Sequence, residues 1–182
     1  MTEEQCLALT ALSALLRYPD EQLHNFVRED DTVHMLAELC PEAAVFAQAL
    51  GATDIVTAQQ AYVQAFDMDA GCSLHLAWHV YGDSPCLGRG LAALLELYSD
   101  AGFQPLPGET PDSLPLMLQF MAQAPAWARE ILSGKFAPVA EKVAKNTAKH
   151  DTIYTPLMRA VARCMVMGAA SPENAISEEV QA

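Results

Sequence analysis

Apolar residues recur at helical spacing along almost the whole chain, and no stretch alternates with the β-branched and aromatic enrichment of a half-buried strand. This pattern predicts an all-α domain. Caps and prolines divide it. Thr2 with Gln5 has the form of a capping box, the first helix carries Leu9, Leu12 and Leu16 on one stripe, and Tyr18 before Pro19 stops it. Asp20 caps a short second helix. Pro41 opens a helix running to Gly51, and Thr53 or Thr57 starts another that carries Tyr62 and Phe66. A loop from Asp67 to Gly71 leads to a helix over Ser73–Tyr81. A small-residue turn, Gly82–Gly88, precedes a strongly apolar helix over Arg89–Ala101, which Gly102 closes and which is expected to be central. After the stiff loop of Pro105, Pro107 and Gly108, Thr110 and Pro111 form the N-cap and first turn of a helix through Phe120. Thr155 and Pro156 repeat that device. Pro125 and Pro138 are expected to begin two further helices, and Gly168 to end the last. The expected architecture is a single helical bundle over residues 1–168, of about nine to eleven helices and without internal repeats, followed by a disordered acidic tail over 169–182.

Its 182 residues suffice for one sizeable core. With a formal charge of −13 and only 10 Lys and Arg, the chain lacks the basic face that nucleic acid requires, whereas a basic peptide suits it. A solvated acidic surface explains the same charge without any partner. The 5 cysteines, Cys6, Cys40, Cys72, Cys86 and Cys164, are scattered rather than spaced as a disulfide framework, so reduced thiols and a cytoplasmic location are expected. The opening Thr2-Glu3-Glu4-Gln5 is unlike a signal peptide, and no apolar run reaches the roughly 20 residues of a membrane span.

Few residues suggest chemistry. Cys72, His75 and His79 fall at i, i+3 and i+7, which would align a thiol and two imidazoles on one helix face with Cys86 as a fourth candidate ligand. The sequence His-Leu-Ala-Trp-His lacks the Glu of a zinc-protease helix, and hydrogen bonding of both histidines near the helix end accounts for them as well. Gly82, Gly88 and Gly90 lack the Lys-Ser/Thr ending of a phosphate loop and lie beside Asp83. Their expected role is structural, Gly82 ending a helix and Gly88 with Gly90 allowing close packing. No serine elbow occurs, and no cysteine has a basic neighbourhood that would favour its thiolate. Neither an enzyme nor a bound cofactor is indicated.

The order of motifs is more specific. Ser73-Leu74-His75-Leu76, then His79, Gly82-Asp83-Ser84, Arg89-Gly90, Tyr98 and Gly102 are followed by Pro111-Asp112-x-Leu114-Pro115 and Phe120. This series resembles the NarJ-like assembly chaperones of respiratory nitrate reductase (nitrate reductase delta subunits), within the wider TorD/DmsD family. The chain departs from the family pattern at Ser113, where many relatives have His, at Gln119, where many have Glu, and in its longer turn between Ser84 and Arg89. No role resting on that His or Glu carries over.

The resemblance implies a cytoplasmic, non-catalytic chaperone; a monomer is the expected state, which the sequence itself leaves open. It would bind the N-terminal segment of a molybdoenzyme catalytic subunit, the nitrate reductase alpha subunit above all, and assist molybdenum cofactor insertion. A DMSO-reductase-family client with a twin-arginine leader is the alternative, and a thiol or metal sensor built on Cys72, His75, His79 and Cys86 a more distant one. The motif residues to examine are Asp67, His75, His79, Asp83, Arg89, Tyr98, Pro111, Asp112, Leu114, Pro115 and Phe120. Tyr98 and Phe120 read as core. Arg89, at a helix start, opposes the helix dipole, so an acidic partner among Asp67, Asp83 and Asp112 is expected to form an Arg-Asp clamp between helices, in preference to peptide contact.

Overall fold

A capping box opens the first helix: the Gln5 amide donates to Thr2 Oγ1 at 3.3 Å and the Thr2 amide to Gln5 Oε1 at 2.9 Å. In the computed structural model, which describes residues 1–167, ten α-helices follow in chain order. They are α1 Glu3–Leu15, α2 Glu21–Phe26, α3 Asp30–Leu39, α4 Pro41–Gly51, α5 Ile55–Phe66, α6 Leu76–Tyr81, α7 Cys86–Asp100, α8 Leu114–Gln123, α9 Ala126–Thr147 and α10 Tyr154–Met167. A single 3₁₀ turn, Ala70–Cys72, lies between α5 and α6. Among the described residues there is no strand, only one antiparallel bridge between His75 and Ser113. The all-α expectation and the expected helix number are met. Gly168 and the tail 169–182 lie outside the described residues.

Two layers of contact build the core. α10 packs on α9 and α4, while α1 lies against α8 and α3 covers α4. The stripe of Leu9, Leu12 and Leu16 is buried as its spacing predicts. α8 is the central helix, with Leu114, Pro115, Leu116, Met117, Leu118, Phe120 and Met121 all buried. The central role expected of the Arg89–Ala101 segment therefore belongs to its successor. Its apolar residues surround α7, but only Gly90, Leu94 and Tyr98, one i, i+4 line, turn inward, leaving Leu95 47% exposed. Aromatic contacts link α4 and α5 to α10: Phe66 meets Tyr154 edge-on at 4.9 Å and Phe46 meets it tilted at 4.8 Å, centroid to centroid.

Several boundaries differ from the sequence reading. Asp54, rather than Thr53 or Thr57, caps α5, its Oδ1 accepting from the amides of Val56 and Thr57. α3, for which no expectation was set, starts at two acidic residues, Asp30 and Asp31, without a side-chain cap. Pro138 does not begin a helix but lies inside the 22-residue α9. An interior proline costs about 3 kcal/mol, and α9 continues because both halves bury apolar residues, Leu132 and Phe136 on one side of Pro138 and Ala140 and Val143 on the other. Thr155 lies within α10, and it is Thr152 Oγ1 that accepts from the Tyr154 amide. Gly82, with φ +55°, ends α6, and Gly102, with φ +76°, follows α7, as their positions suggest.

A candidate peptide groove at the Asp67, His75 and Asp112 junction

The chain between α5 and α6 is not α-helical, and this decides the site. Asp67 caps the C-terminus of α5, the 3₁₀ turn follows, and Ser73–His75 runs extended to form the bridge. The Leu76 amide donates to Asp112 O at 3.0 Å and the Leu114 amide to Leu74 O at 2.9 Å, so the two motif segments are stitched together by their backbones. The expected helix over Ser73–Tyr81 is thus shortened to Leu76–Tyr81, with His75 as its N-cap. In the same way Thr110 and Pro111 precede α8, which begins at Leu114 after Ser113. The bridge claims the backbone groups that a longer helix would have used.

Stitching places His75 over Asp112. His75 Nδ1 lies 3.3 Å from Asp112 Oδ1 and 3.3 Å from Thr110 Oγ1. Asp112 is only 4% exposed, while the His75 side chain is 52% exposed. The hydrogen bond to Asp112 raises the His75 pKa above its ordinary value, assisted by the fields of Asp112 and Asp67 and opposed by partial burial. Around this pair opens a groove of about 490 Å³. Phe66, Trp78, Leu87 and Leu91 form its apolar walls, and Asp67, Ser73, His75 and Asp112 supply polar groups. A second cleft, about 600 Å³, is lined by Arg17, Tyr18, Asp20 and residues of α2 and contains none of the motif residues.

The remaining motif residues mostly support this junction. Tyr98, fully buried, donates its hydroxyl to Pro111 O at 2.7 Å and so holds the loop that carries Asp112. Phe120 packs tilted against Tyr98 with ring centroids 4.6 Å apart, Leu114 is buried beside the bridge, and Pro115 O accepts from Ser13 Oγ at 2.7 Å. Both aromatics are core, as read from their spacing. His79 Nε2 pairs with Ser73 O at 2.8 Å, tying α6 back to the extended segment. Asp83 is exposed in the turn after α6.

Arg89 corrects an expectation. α7 begins at Cys86, so Arg89 is already in the helix, exposed, and its Nη2 donates to Cys86 Sγ at 3.0 Å. Among the described residues it makes no ion pair with Asp67, Asp83 or Asp112, and the Asp112 carboxylate is engaged by His75 instead. The four-residue ligand set is not assembled either. Cys72 is buried in the 3₁₀ turn, His75 and His79 bond to separate partners, and Cys86 lies on α7, because the break at Ser73–His75 destroys the i, i+3, i+7 alignment. Gly90 does permit close approach, since a Cβ there would sit 2.3 Å from Tyr81 Cε2, whereas Gly88 faces open space. Sequence reasoning did not single out the groove walls Trp78, Leu87 and Leu91. The i, i+4 spacing of Leu87 and Leu91 was the available signal.

Comparison with known proteins agrees with this assembly of motifs. Residues 13–156 match the family model described as nitrate reductase delta subunit. The nitrate reductase molybdenum cofactor assembly chaperone NarJ of Escherichia coli is 30% identical over 158 residues, covering 83% of this chain and 66% of that protein. A probable NarJ of Bacillus subtilis is 27% identical over 174 residues, covering 86% and 87% respectively. The nitrate reductase-like protein NarX of Mycobacterium tuberculosis is 34% identical over 136 residues, 70% of this chain and 20% of that one. With a family match running from within α1 to the start of α10, the chain belongs to the nitrate reductase delta subunit family.

Proposed function

We propose that this protein is a cytoplasmic assembly chaperone for a molybdoenzyme catalytic subunit, the nitrate reductase alpha subunit in particular. It receives the client's N-terminal segment in the groove at Asp67, His75 and Asp112 and assists molybdenum cofactor insertion. The observation that carries this reading is the convergence of three acidic or basic motif residues, from segments far apart in sequence, on one apolar-walled groove. Phe66, Trp78, Leu87 and Leu91 suit one face of an amphipathic helix, and the carboxylates suit its Arg or Lys. Relatives named as assembly chaperones support a role without turnover. Binding one conformation of an immature client shifts its population and requires no reaction by the chaperone.

Calorimetry with a synthetic peptide copying the client N-terminus tests the proposal. Trp78→Ala removes an aromatic wall and should weaken binding by about tenfold or more, while Asp67→Asn should chiefly reduce the dependence of affinity on salt. Peptide affinity unchanged by both substitutions would exclude the groove, and no binding of any client segment would exclude the mechanism.

A further inference from the structure

Behind the groove wall, a carboxylate, a thiol and an imidazole meet without serving the groove. Asp69, Cys72 and His150 each offer one donor atom, all within 4.8 Å of one another. Asp69 caps the 3₁₀ turn and Cys72 ends it, whereas His150 lies 81 residues beyond Asp69, just after α9. We propose that Asp69 Oδ2, Cys72 Sγ and His150 Nε2 form a binding site for a zinc-like divalent cation, its fourth position left to water or an external ligand.

The separations fit that coordination. Tetrahedral zinc, with bonds of about 2.0 Å to oxygen and nitrogen and about 2.3 Å to sulfur, sets its donors about 3.3 Å (O to N) and about 3.5 Å (O to S) apart. Asp69 Oδ2 lies 3.0 Å from His150 Nε2 and 3.8 Å from Cys72 Sγ, each within a few tenths of an ångström of those values, and all three donors lie within 4.8 Å of one another. The donor set combines a soft thiolate, an imidazole and a single carboxylate, which favours zinc over magnesium or calcium.

The site is also built from its surroundings. The Gly71 amide donates to Asp69 Oδ1 at 2.7 Å, which fixes the carboxylate and leaves Oδ2 for the other two residues. Asn146 Nδ2 donates to Gly71 O at 2.9 Å, holding the turn against the end of α9. A side chain at position 71 would be tight there, since its Cβ would stand 3.0 Å from Asn146 Nδ2 and 3.1 Å from Asp69 Oδ1. Such outer partners orient metal ligands in general. Cys72 is wholly buried and the Asp69 and His150 side chains are about half exposed, so a cation enters from the carboxylate side. Lys149, bonded to Asn146, is the opposing charge beside the site.

Binding exchanges protons for metal. The Cys72 thiol proton leaves to solvent as the S–metal bond forms, and His150 binds as neutral imidazole, its proton on Nδ1. The cation would then join the turn that bears the groove residue Ala70 to the α9–α10 connection.

The test uses the whole protein, stripped with chelator and titrated with zinc chloride in a calorimeter, and separately with cobalt chloride in a spectrophotometer. One zinc per chain is expected, together with a cobalt-thiolate charge-transfer band. His150→Gln, at a half-exposed position that leaves the fold intact, should weaken zinc binding by about tenfold or more, and Cys72→Ser should abolish the band. Cys40→Ser should leave both unchanged. No uptake of zinc, or uptake and a cobalt band indifferent to His150→Gln, would overturn the proposal.

Discussion

The same substitution made two residues apart on α7 should have opposite effects. Gly88 and Gly90 both lie in the first half of this helix, where replacement by alanine gains up to about 1 kcal/mol from backbone entropy and helix propensity. At Gly88 a Cβ meets nothing within 4 Å, so the gain stands alone. At Gly90 the new methyl would stand 2.3 Å from Tyr81 Cε2 and 2.9 Å from its Cδ2 and Cζ, well inside contact distance with a ring face. Tyr81 cannot swing away freely, because Lys135 Nζ both bonds its hydroxyl and lies 5.0 Å from its ring centroid. Overpacking of this kind costs about 1–3 kcal/mol. Gly90→Ala should therefore be less stable than Gly88→Ala by about that amount, or about 2–4 °C per kcal/mol in melting temperature for a chain of this size. Urea unfolding followed by circular dichroism measures both. In a Tyr81→Ala background the penalty at Gly90 should disappear, since the ring that opposes the methyl is gone. Gly90→Ala equal to or more stable than Gly88→Ala in the wild-type background would show that α6 and α7 are not held together through this contact. The consequence extends to the proposed peptide groove, because these two helices carry its wall residues Trp78, Leu87 and Leu91.

Two buried tyrosines should also respond oppositely to loss of the hydroxyl. Tyr98→Phe removes the bond to Pro111 O and should cost about 1–2 kcal/mol, whereas Tyr154→Phe removes a buried hydroxyl without a hydrogen-bond partner and should gain about 1 kcal/mol in denaturant unfolding. His75 has a raised pKa when folded, so its contribution is complete below the ordinary value of 6.5 and is lost as pH rises through the higher folded value. The stability difference between wild type and His75→Gln should be largest in mild acid, no more than about 1 kcal/mol because the ring is half exposed, and should shrink in alkali. Arg163 binds Glu42 through both carboxylate oxygens and lowers its pKa from 4.5 to about 2. That contribution is present above the unfolded value and is lost as pH falls through the folded one. Glu42→Gln should thus cost up to about 1 kcal/mol at neutral pH, less in high salt, and nothing in strong acid.

Local signals in the sequence determined the helical class, the capping box at Thr2 and Gln5, the start of α4 at Pro41 and the buried stripe of α1, because each depends on residues within one or two turns of one another. The motif series was equally legible, since the family match rests on residue order. What local signals could not decide was where a helix yields to a distant partner. Ser73–His75 reads as helix by spacing, yet it pairs with Asp112–Leu114 from far along the chain, and that pairing shortens α6, delays α8 and sets His75 on Asp112. The proline rule failed at Pro138 for a related reason, burial on both sides outweighing one lost hydrogen bond. α7 looked central by composition and α8 proved so, since burial depends on which faces meet neighbours. The proposed cation site belongs to the same class, as Asp69 and His150 meet only through the packing of the 3₁₀ turn on α9. Short-range chemistry chooses the elements, and long-range pairing chooses which of their side chains share a site, because donor and acceptor must be brought within a few ångströms by a chain that passes through the whole fold between them.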